Sequence, residues 1–236
     1  MNLADDSTDV LVVGGGPAGL AAAIAARSKG FRVLVVDPAE PPIDKACGEG
    51  LMPDAVEALQ QLGIAIPSGE SFPFRGIRFI GDGQRVESDF PRGCGLGVRR
   101  TTLHLLLLER AVLWNVSFHW RTRVTELDPS GAYVQGRLIR ARWVIGADGH
   151  NSAIGRCAGL DRPRFRLDPQ RFGFRRHFRV AQMPSPSATA WMRSTDRSVS
   201  VWRLSITMGS AIPRSPAMSA RLSAASRSGC GAAWKN

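Results

Sequence analysis

The sequence predicts an α/β fold built on a largely parallel sheet, and three observations carry that expectation. A continuous apolar run, Val10 to Val13, enters the turn Gly14-Gly-Gly16-Pro17-Ala18-Gly19. A stretch of small residues follows and stops at Gly30, just before a second apolar run, Arg32 to Val36. Much later a third apolar run, Leu138 to Ile145, enters a second turn, Gly146-Ala-Asp148-Gly149. Uninterrupted runs of this kind fit strands buried on both faces of a parallel sheet.

Each element of the opening βαβ unit has a local cause. Pro17 presets φ and lacks the N–H that a first helical turn cannot use, so a helix is expected from Pro17 to Lys29. Gly30 can take the left-handed conformation just past its end. A Pro-rich connection from Pro38 to Glu49 contains Cys47-Gly48-Glu49 and continues Gly50-Leu51-Met52-Pro53. Asp54 to Leu62 then has the spacing of a short amphipathic helix. Ile77 to Ile80, the turn Gly81-Asp82-Gly83 and Arg85 to Phe90 predict a β-hairpin. Arg100 to Trp114 predicts a leucine-rich, mostly buried helix, and Val116 to Leu127, Ala132 to Val134 and Leu138 to Ile145 predict strands leading into the second turn.

Composition excludes more than it selects. The 236 residues carry 31 basic and 20 acidic side chains, a net charge of +11. Such an excess can mark a nucleic-acid surface. Its distribution argues otherwise: residues 181–236 hold seven basic side chains and one acidic, a net of +6, and only Lys29, Lys45 and Lys235 are lysines. The apolar runs fall far short of the roughly 18 residues of a membrane span. The acidic N-terminus does not resemble a secretory or transit signal, so the cytoplasm is the expected location. Cys47, Cys94, Cys157 and Cys230 have neither metal-site nor redox-motif spacing and are expected as reduced thiols, and the scattered histidines give no expectation of a metal site.

Three regions are expected. Residues 1–160 form a dinucleotide-binding domain with an inserted hairpin over 72–98, residues 161–180 begin a second domain, and residues 181–236 form a low-complexity tail. That tail holds 12 of the 20 serines. It is either a disordered linker or a stretch translated out of frame. The segment Arg162 to Arg179 interleaves seven arginines with four phenylalanines. It fits either a strand, with Phe172, Phe174 and Phe178 on one face, or a surface of cations and stacking rings.

The first turn is a G-x-G-x-x-G between strand and helix. Gly14 permits the turn, Gly16 lets backbone approach a pyrophosphate, and Gly19 lets the helix lie close to the strand. The helix start offers unpaired N–H groups to phosphates. Asp37, at the tip of the second strand, can accept from a ribose hydroxyl, and its charge disfavours a 2′-phosphate there. Without a ligand the same features make a Gly-rich strand-to-helix turn.

The second turn brings a resemblance. Trp143-Val-Ile-Gly146-Ala-Asp148-Gly149-His-Asn-Ser152-Ala-Ile-Gly-Arg156 resembles the Asp-Gly motif of FAD-dependent monooxygenases of the para-hydroxybenzoate hydroxylase type and of the related geranylgeranyl reductases. Read on its residues alone it is also good chemistry for an ordinary turn. Gly97-Val-Arg99-Arg100-Thr-Thr-Leu103 resembles the family's Arg-x-x-Leu segment, with Arg100 at the arginine that reaches the ribityl and phosphate portion. Resemblance puts the backbone of Val124 beside the adenine, and its residue type equally suits a core valine. Cys47-Gly48-Glu49-Gly50-Leu51 resembles a stretch that approaches the isoalloxazine ring in the reductases, though a lone cysteine also serves as a small buried hydrophobe.

What the resemblance implies is a Rossmann-like FAD-binding domain with a βαβ start and a β-meander, followed by the start of a substrate-domain sheet. FAD would be reduced by NAD(P)H. The expected activity is that of an NAD(P)H-dependent monooxygenase hydroxylating or epoxidising a small organic substrate, aromatic or isoprenoid. The alternatives are a geranylgeranyl-reductase-like alkene reductase and an inactive FAD-binding fragment. The cofactor-binding candidates are Gly14, Gly16, Pro17, Ala18, Gly19, Asp37, Cys47, Gly48, Arg100, Val124, Asp148 and Gly149, with no catalytic residue named. The family continues to a Gly-Asp-Ala motif, and the chain's only Gly-Asp is Gly81-Asp82. A truncated member is therefore expected, with no nucleic-acid partner.

Overall fold

A computed structural model describes residues 7–81, 84–160 and 175–177. In chain order the elements are β1 (Ser7–Val13), α1 (Pro17–Ser28), β2 (Val33–Asp37), β3 (Gly50–Leu51), α2 (Pro53–Gln61), a 3₁₀ turn (Ser68–Glu70), β4 (Ser71–Phe74), β5 (Gly76–Gly81) and β6 (Gln84–Asp89). They continue with β7 (Gly95–Val98), α3 (Arg100–Leu113), β8 (Ser117–Trp120), β9 (Val124–Asp128), β10 (Gly131–Val134), β11 (Arg137–Gly146) and α4 (Ala153–Cys157). The described residues divide into two units. The first takes the chain up to Lys45, Glu57–Glu70 and the stretch from Val98, and the second takes Ala46–Val56, Ser71–Gly97 and residues 175–177.

The first unit is a six-stranded sheet in the order β8-β2-β1-β11-β10-β9. β8, β2, β1 and β11 run parallel, and β10 and β9 return antiparallel as a meander. Leu11, Val13, Leu34, Val36, Val124, Ala132, Val134, Ile139 and Ile154 form one buried cluster. Val10, Val12, Val33 and Val35 have the opposite parity and are also buried, as are Leu20, Ala23 and Ile24 of α1, which packs on β1, β2 and α3. Burial of each of the Val, Leu and Ile side chains stabilises by roughly 1.5–3 kcal/mol. β1 and β2 thus fit the two-faced burial their composition predicts. β11 does not: Trp143, in register with Val10, is 57% exposed.

One predicted strand proves to be two. The run Val116 to Leu127 breaks at Arg121, which has a positive φ of 55°. Thr122 then donates its N–H to the Asp37 carbonyl and its hydroxyl to that of Trp120. That turn sends β8 and β9 to opposite edges of the sheet.

The second unit holds a small sheet, β3-β7-β4, and the separate hairpin β5-β6. The hairpin matches its predicted position, with Phe79 opposite Val86 and Ile77 opposite Ser88. Phe74 meets Phe90 edge to face at 5.6 Å. Cys94 is disulfide-bonded, whereas Cys47 and Cys157 are free. The expectation of four reduced thiols fails at Cys94 because sequence spacing does not report which sulfurs approach in space. The expected tail 181–236 and the Phe172, Phe174 and Phe178 face lie outside the described residues. Among the described residues no helix is long and apolar enough to cross a membrane.

Candidate dinucleotide site

The two glycine turns lie side by side at the carboxyl ends of β1 and β11. Val13 is in register with Gly146, and Ala147 donates its N–H to the Val13 carbonyl at 2.7 Å. Gly14 donates to the Val36 carbonyl at 2.8 Å and has a φ of +111°. A methyl group on Gly14 would overlap the Ala147 carbonyl, and one on Gly19 would overlap the Gly14 carbonyl. Both glycines therefore serve close packing of strand, turn and helix.

Gly16 is different. It caps α1 without a side-chain hydrogen bond, Pro17 follows at the first helical positions, and a methyl there would meet only the Arg100 Nη2, at 3.6 Å. The first turn of α1 therefore offers backbone N–H groups, half-buried and backed by a guanidinium, which is an anion site in the making. Pro17 is half-buried and Ala18 exposed at the same mouth.

Asp37 is buried at the end of β2. Its Oδ2 accepts from Gly15 N–H and its Oδ1 from Ala39 N–H, each at 2.7 Å. A carboxylate offers about four acceptor positions, so further hydroxyls can be taken. On α3, His104 is fully buried, and its Nε2 lies 2.8 Å from the Gly15 carbonyl. A carbonyl only accepts, so Nε2 carries the proton. Burial pushes the imidazole below its ordinary value, Arg100 pushes the same way, and the Gly15 bond and Asp37 oppose them. Trp120 completes the enclosure: a methyl on Gly15 would overlap its ring, which stacks on Phe118 at 5.2 Å.

Asp148 uses its carboxylate on α4. Ser152 donates its hydroxyl to Oδ1 at 2.5 Å, while Ala153 and Ile154 donate N–H groups to Oδ2 at 2.6 and 3.2 Å. Ser152 in turn accepts from Gly155. Burial raises the Asp148 carboxyl, and the bonds from Ser152, Ile154 and Ala153 together outweigh it and hold it below the usual carboxylate value. Gly149 follows, exposed, with a φ of +92°.

Gly14, Gly16, Pro17, Ala18, Gly19, Asp37, Arg100, Val124, Asp148 and Gly149 all belong to the first unit. The Val124 side chain packs in the core, and the bond from Thr122 to Asp37 brings its segment to the tip of β2. Cys47 and Gly48 belong to the second unit, half-buried and exposed respectively. Beside them Glu49 has a φ of +52° and a buried carboxylate that receives Arg175 Nη1 at 2.6 Å and His177 Nε2 at 3.3 Å. Sequence reasoning missed Gly15, His104 and Trp120. The one legible signal was the spacing of Arg100 and His104, which sets both on one face of a helix.

Residues 7–222 match the family model of the FAD binding domain. The chain belongs to that family. Its relatives include the menaquinone reductase of Mycobacterium tuberculosis, 39% identical over 172 residues that cover 66% of this chain and 41% of the relative. Digeranylgeranylglycerophospholipid reductase 1 of Methanopyrus kandleri is 36% identical over 164 residues, covering 64% of this chain and 42% of that one. Among solved structures, a flavoprotein/dehydrogenase from Cytophaga hutchinsonii superposes with a TM-score of 0.58 at 28% identity, over 67% of this chain and 43% of that one. The chain thus spans about two fifths of the length of these relatives.

The residues present fit FAD, the family's cofactor. Gly16 leaves open the space a methyl would fill, and Arg100 stands over it to meet a diphosphate. Asp37 holds the same turn through Gly15 N–H and keeps acceptor positions to spare for a hydroxyl.

Proposed function

We propose that this chain is the FAD-binding part of an NAD(P)H-dependent flavoprotein that reduces an isoprenoid-bearing lipid. Support for the cofactor comes from the paired turns at the ends of β1 and β11, backed by Arg100 and Asp37. Support for reduction comes from the 39% identity to a menaquinone reductase and the 36% identity to a digeranylgeranylglycerophospholipid reductase, together with Cys47-Gly48-Glu49-Gly50-Leu51.

In this reading the N–H groups of Gly16 and the first turn of α1 bind the pyrophosphate, and Arg100 neutralises it. Asp37 accepts from the adenosine ribose. Gly149 and the backbone around Asp148 support the stretch between pyrophosphate and flavin ring, while the Asp148 carboxylate keeps that turn in place through α4. The backbone of Val124 borders the adenine. Cys47 and Gly48 enter on the resemblance alone. When bound, FAD would supply the two-electron redox chemistry linking nicotinamide to substrate, while this chain's residues bind and orient it.

Oxygenation is the second reading, favoured by 29% identity to the 6-methylpretetramide 4-monooxygenase of Streptomyces rimosus. The two separate in one experiment on the FAD-loaded chain. Without oxygen, NADH or NADPH bleaches the flavin, and an isoprenoid quinone or an unsaturated isoprenoid lipid restores its colour with a reduced double bond in the product. Substrate-dependent oxygen uptake with a hydroxylated product would decide for oxygenation. A flavin that neither nicotinamide reduces contradicts both.

A further inference from the structure

The turn at the centre of the cofactor reading is gripped by side chains that lie outside any glycine motif. Gly15 has its N–H held by Asp37 at 2.7 Å and its carbonyl held by His104 at 2.8 Å, across 89 residues of sequence. Trp120 closes over its Cα. Two successive peptide planes are thus fixed before any ligand arrives.

The consequence for Gly16 follows from peptide geometry. The cis peptide bond among the described residues is Pro41-Pro42, so the Gly15-Gly16 bond is trans. A trans peptide points its C=O and its N–H in opposite directions. Anchoring the Gly15 carbonyl on the buried imidazole therefore turns the Gly16 N–H outward, to the mouth where Arg100 stands. His104 and Arg100 are one helical turn apart on α3, so a single helix face supplies both the charge and the alignment. The ring has no second anchor among the described residues, since its Nδ1 is buried without a hydrogen-bond partner.

We propose that His104 is a positioning residue for the dinucleotide: through Nε2–H it fixes the Gly15-Gly16 peptide so that the Gly16 N–H is presented to the pyrophosphate. The proposal rests on the FAD reading above. Its physical basis is preorganisation, because a turn already ordered loses less freedom when the ligand binds.

The test compares the wild-type chain with His104→Gln, whose carboxamide places a donor near the Nε2 position, and with His104→Leu, which has none. Affinities for FAD and ADP are measured by titration, and amide hydrogen exchange at Gly15, whose N–H Asp37 holds, is measured without ligand. His104→Leu is expected to bind both ligands roughly tenfold more weakly, with exchange faster by a similar factor, while His104→Gln stays within about threefold of wild type. If His104→Leu does not fold, His104→Asn replaces it, since its shorter carboxamide ends before Gly15 and carries the same expectation. Equal affinity of wild type and His104→Leu overturns the proposal and leaves the FAD reading standing. Equal losses in His104→Gln and His104→Leu also overturn it. A folded wild-type chain that binds neither ligand contradicts the FAD reading itself, and the proposal with it.

Discussion

The backbone N–H of Ala147 donates to the carbonyl of Val13 at 2.7 Å, and this bond makes one surface of two turns that are far apart in sequence. Gly14, next to Val13, is packed so closely on the Ala147 carbonyl that a side chain has no room. Gly16, two residues on, has room for one, in ordinary contact with Arg100 Nη2 at 3.6 Å. The same motif therefore contains one glycine required by the fold and another that the fold leaves free, which the proposed function reserves for a phosphate.

Substitution should separate those roles. Gly14→Ala places a methyl against the backbone at a φ of +111° and should cost about 3 kcal/mol or more. Gly16 has a φ of −71°, which alanine adopts freely, so Gly16→Ala should shift stability by less than about 1 kcal/mol. FAD affinity should nevertheless fall at least tenfold, because the methyl occupies the place of a phosphate. Urea denaturation and FAD titration of the two variants check this directly.

The Asp148 carboxylate should act as a structural cap whatever else it does. Asp148→Ala removes the acceptor for Ala153 and Ile154 and the partner of the Ser152 hydroxyl. A loss of about 1 kcal/mol, within a range of roughly 0.5–2, is expected in chemical denaturation. Because the folded carboxyl titrates below its ordinary 3.8, its contribution is present above that pH and is lost as the solution is acidified through the folded value.

Histidine sets a second pH window. Burial holds His104 and His119 below the ordinary 6.5, so the unfolded chain takes up these protons at a higher pH than the folded one. Stability should then be level just above pH 6.5 and fall as the pH drops below it. His104→Gln should flatten that fall in part, leaving the share of His119. Denaturation midpoints measured across this range give the answer.

Where each residue's consequence was local, the sequence was legible. Pro17 and Gly30 bounded α1 to within a residue, and the helix predicted over Arg100 to Trp114 is α3, Arg100–Leu113. The split of β8 from β9 was hidden because Arg121 is not a residue type that announces a left-handed turn. The roles of Asp148 and His104 were hidden for another reason. A carboxylate in an Asp-Gly turn can face a ligand or a helix start, and only the fold shows that Ala153 and Ile154 reach it. His104 lies 89 residues from Gly15, so nothing in either neighbourhood hints at the other. Strands β3, β4 and β7 were missed because runs of two to four residues carry too little periodicity to read.

Asp37 holds two backbone N–H groups with the carboxylate that the proposed function also gives to the ribose. Asp37→Asn keeps a single acceptor oxygen for the two N–H groups of Gly15 and Ala39, so one loses its partner. A destabilisation of about 1–3 kcal/mol is expected, together with weaker FAD binding. If stability falls and affinity for FAD does not, the assignment of Asp37 to the ribose is wrong.

The most direct test of the central claim is titration of the purified, folded chain with FAD, followed by flavin fluorescence and repeated on Gly16→Ala. The account predicts saturable quenching at one FAD per chain, displaced by ADP and weakened at least tenfold by the added methyl. A folded wild-type chain that shows no saturable quenching, or a Gly16→Ala chain that binds FAD as tightly as wild type, would contradict it.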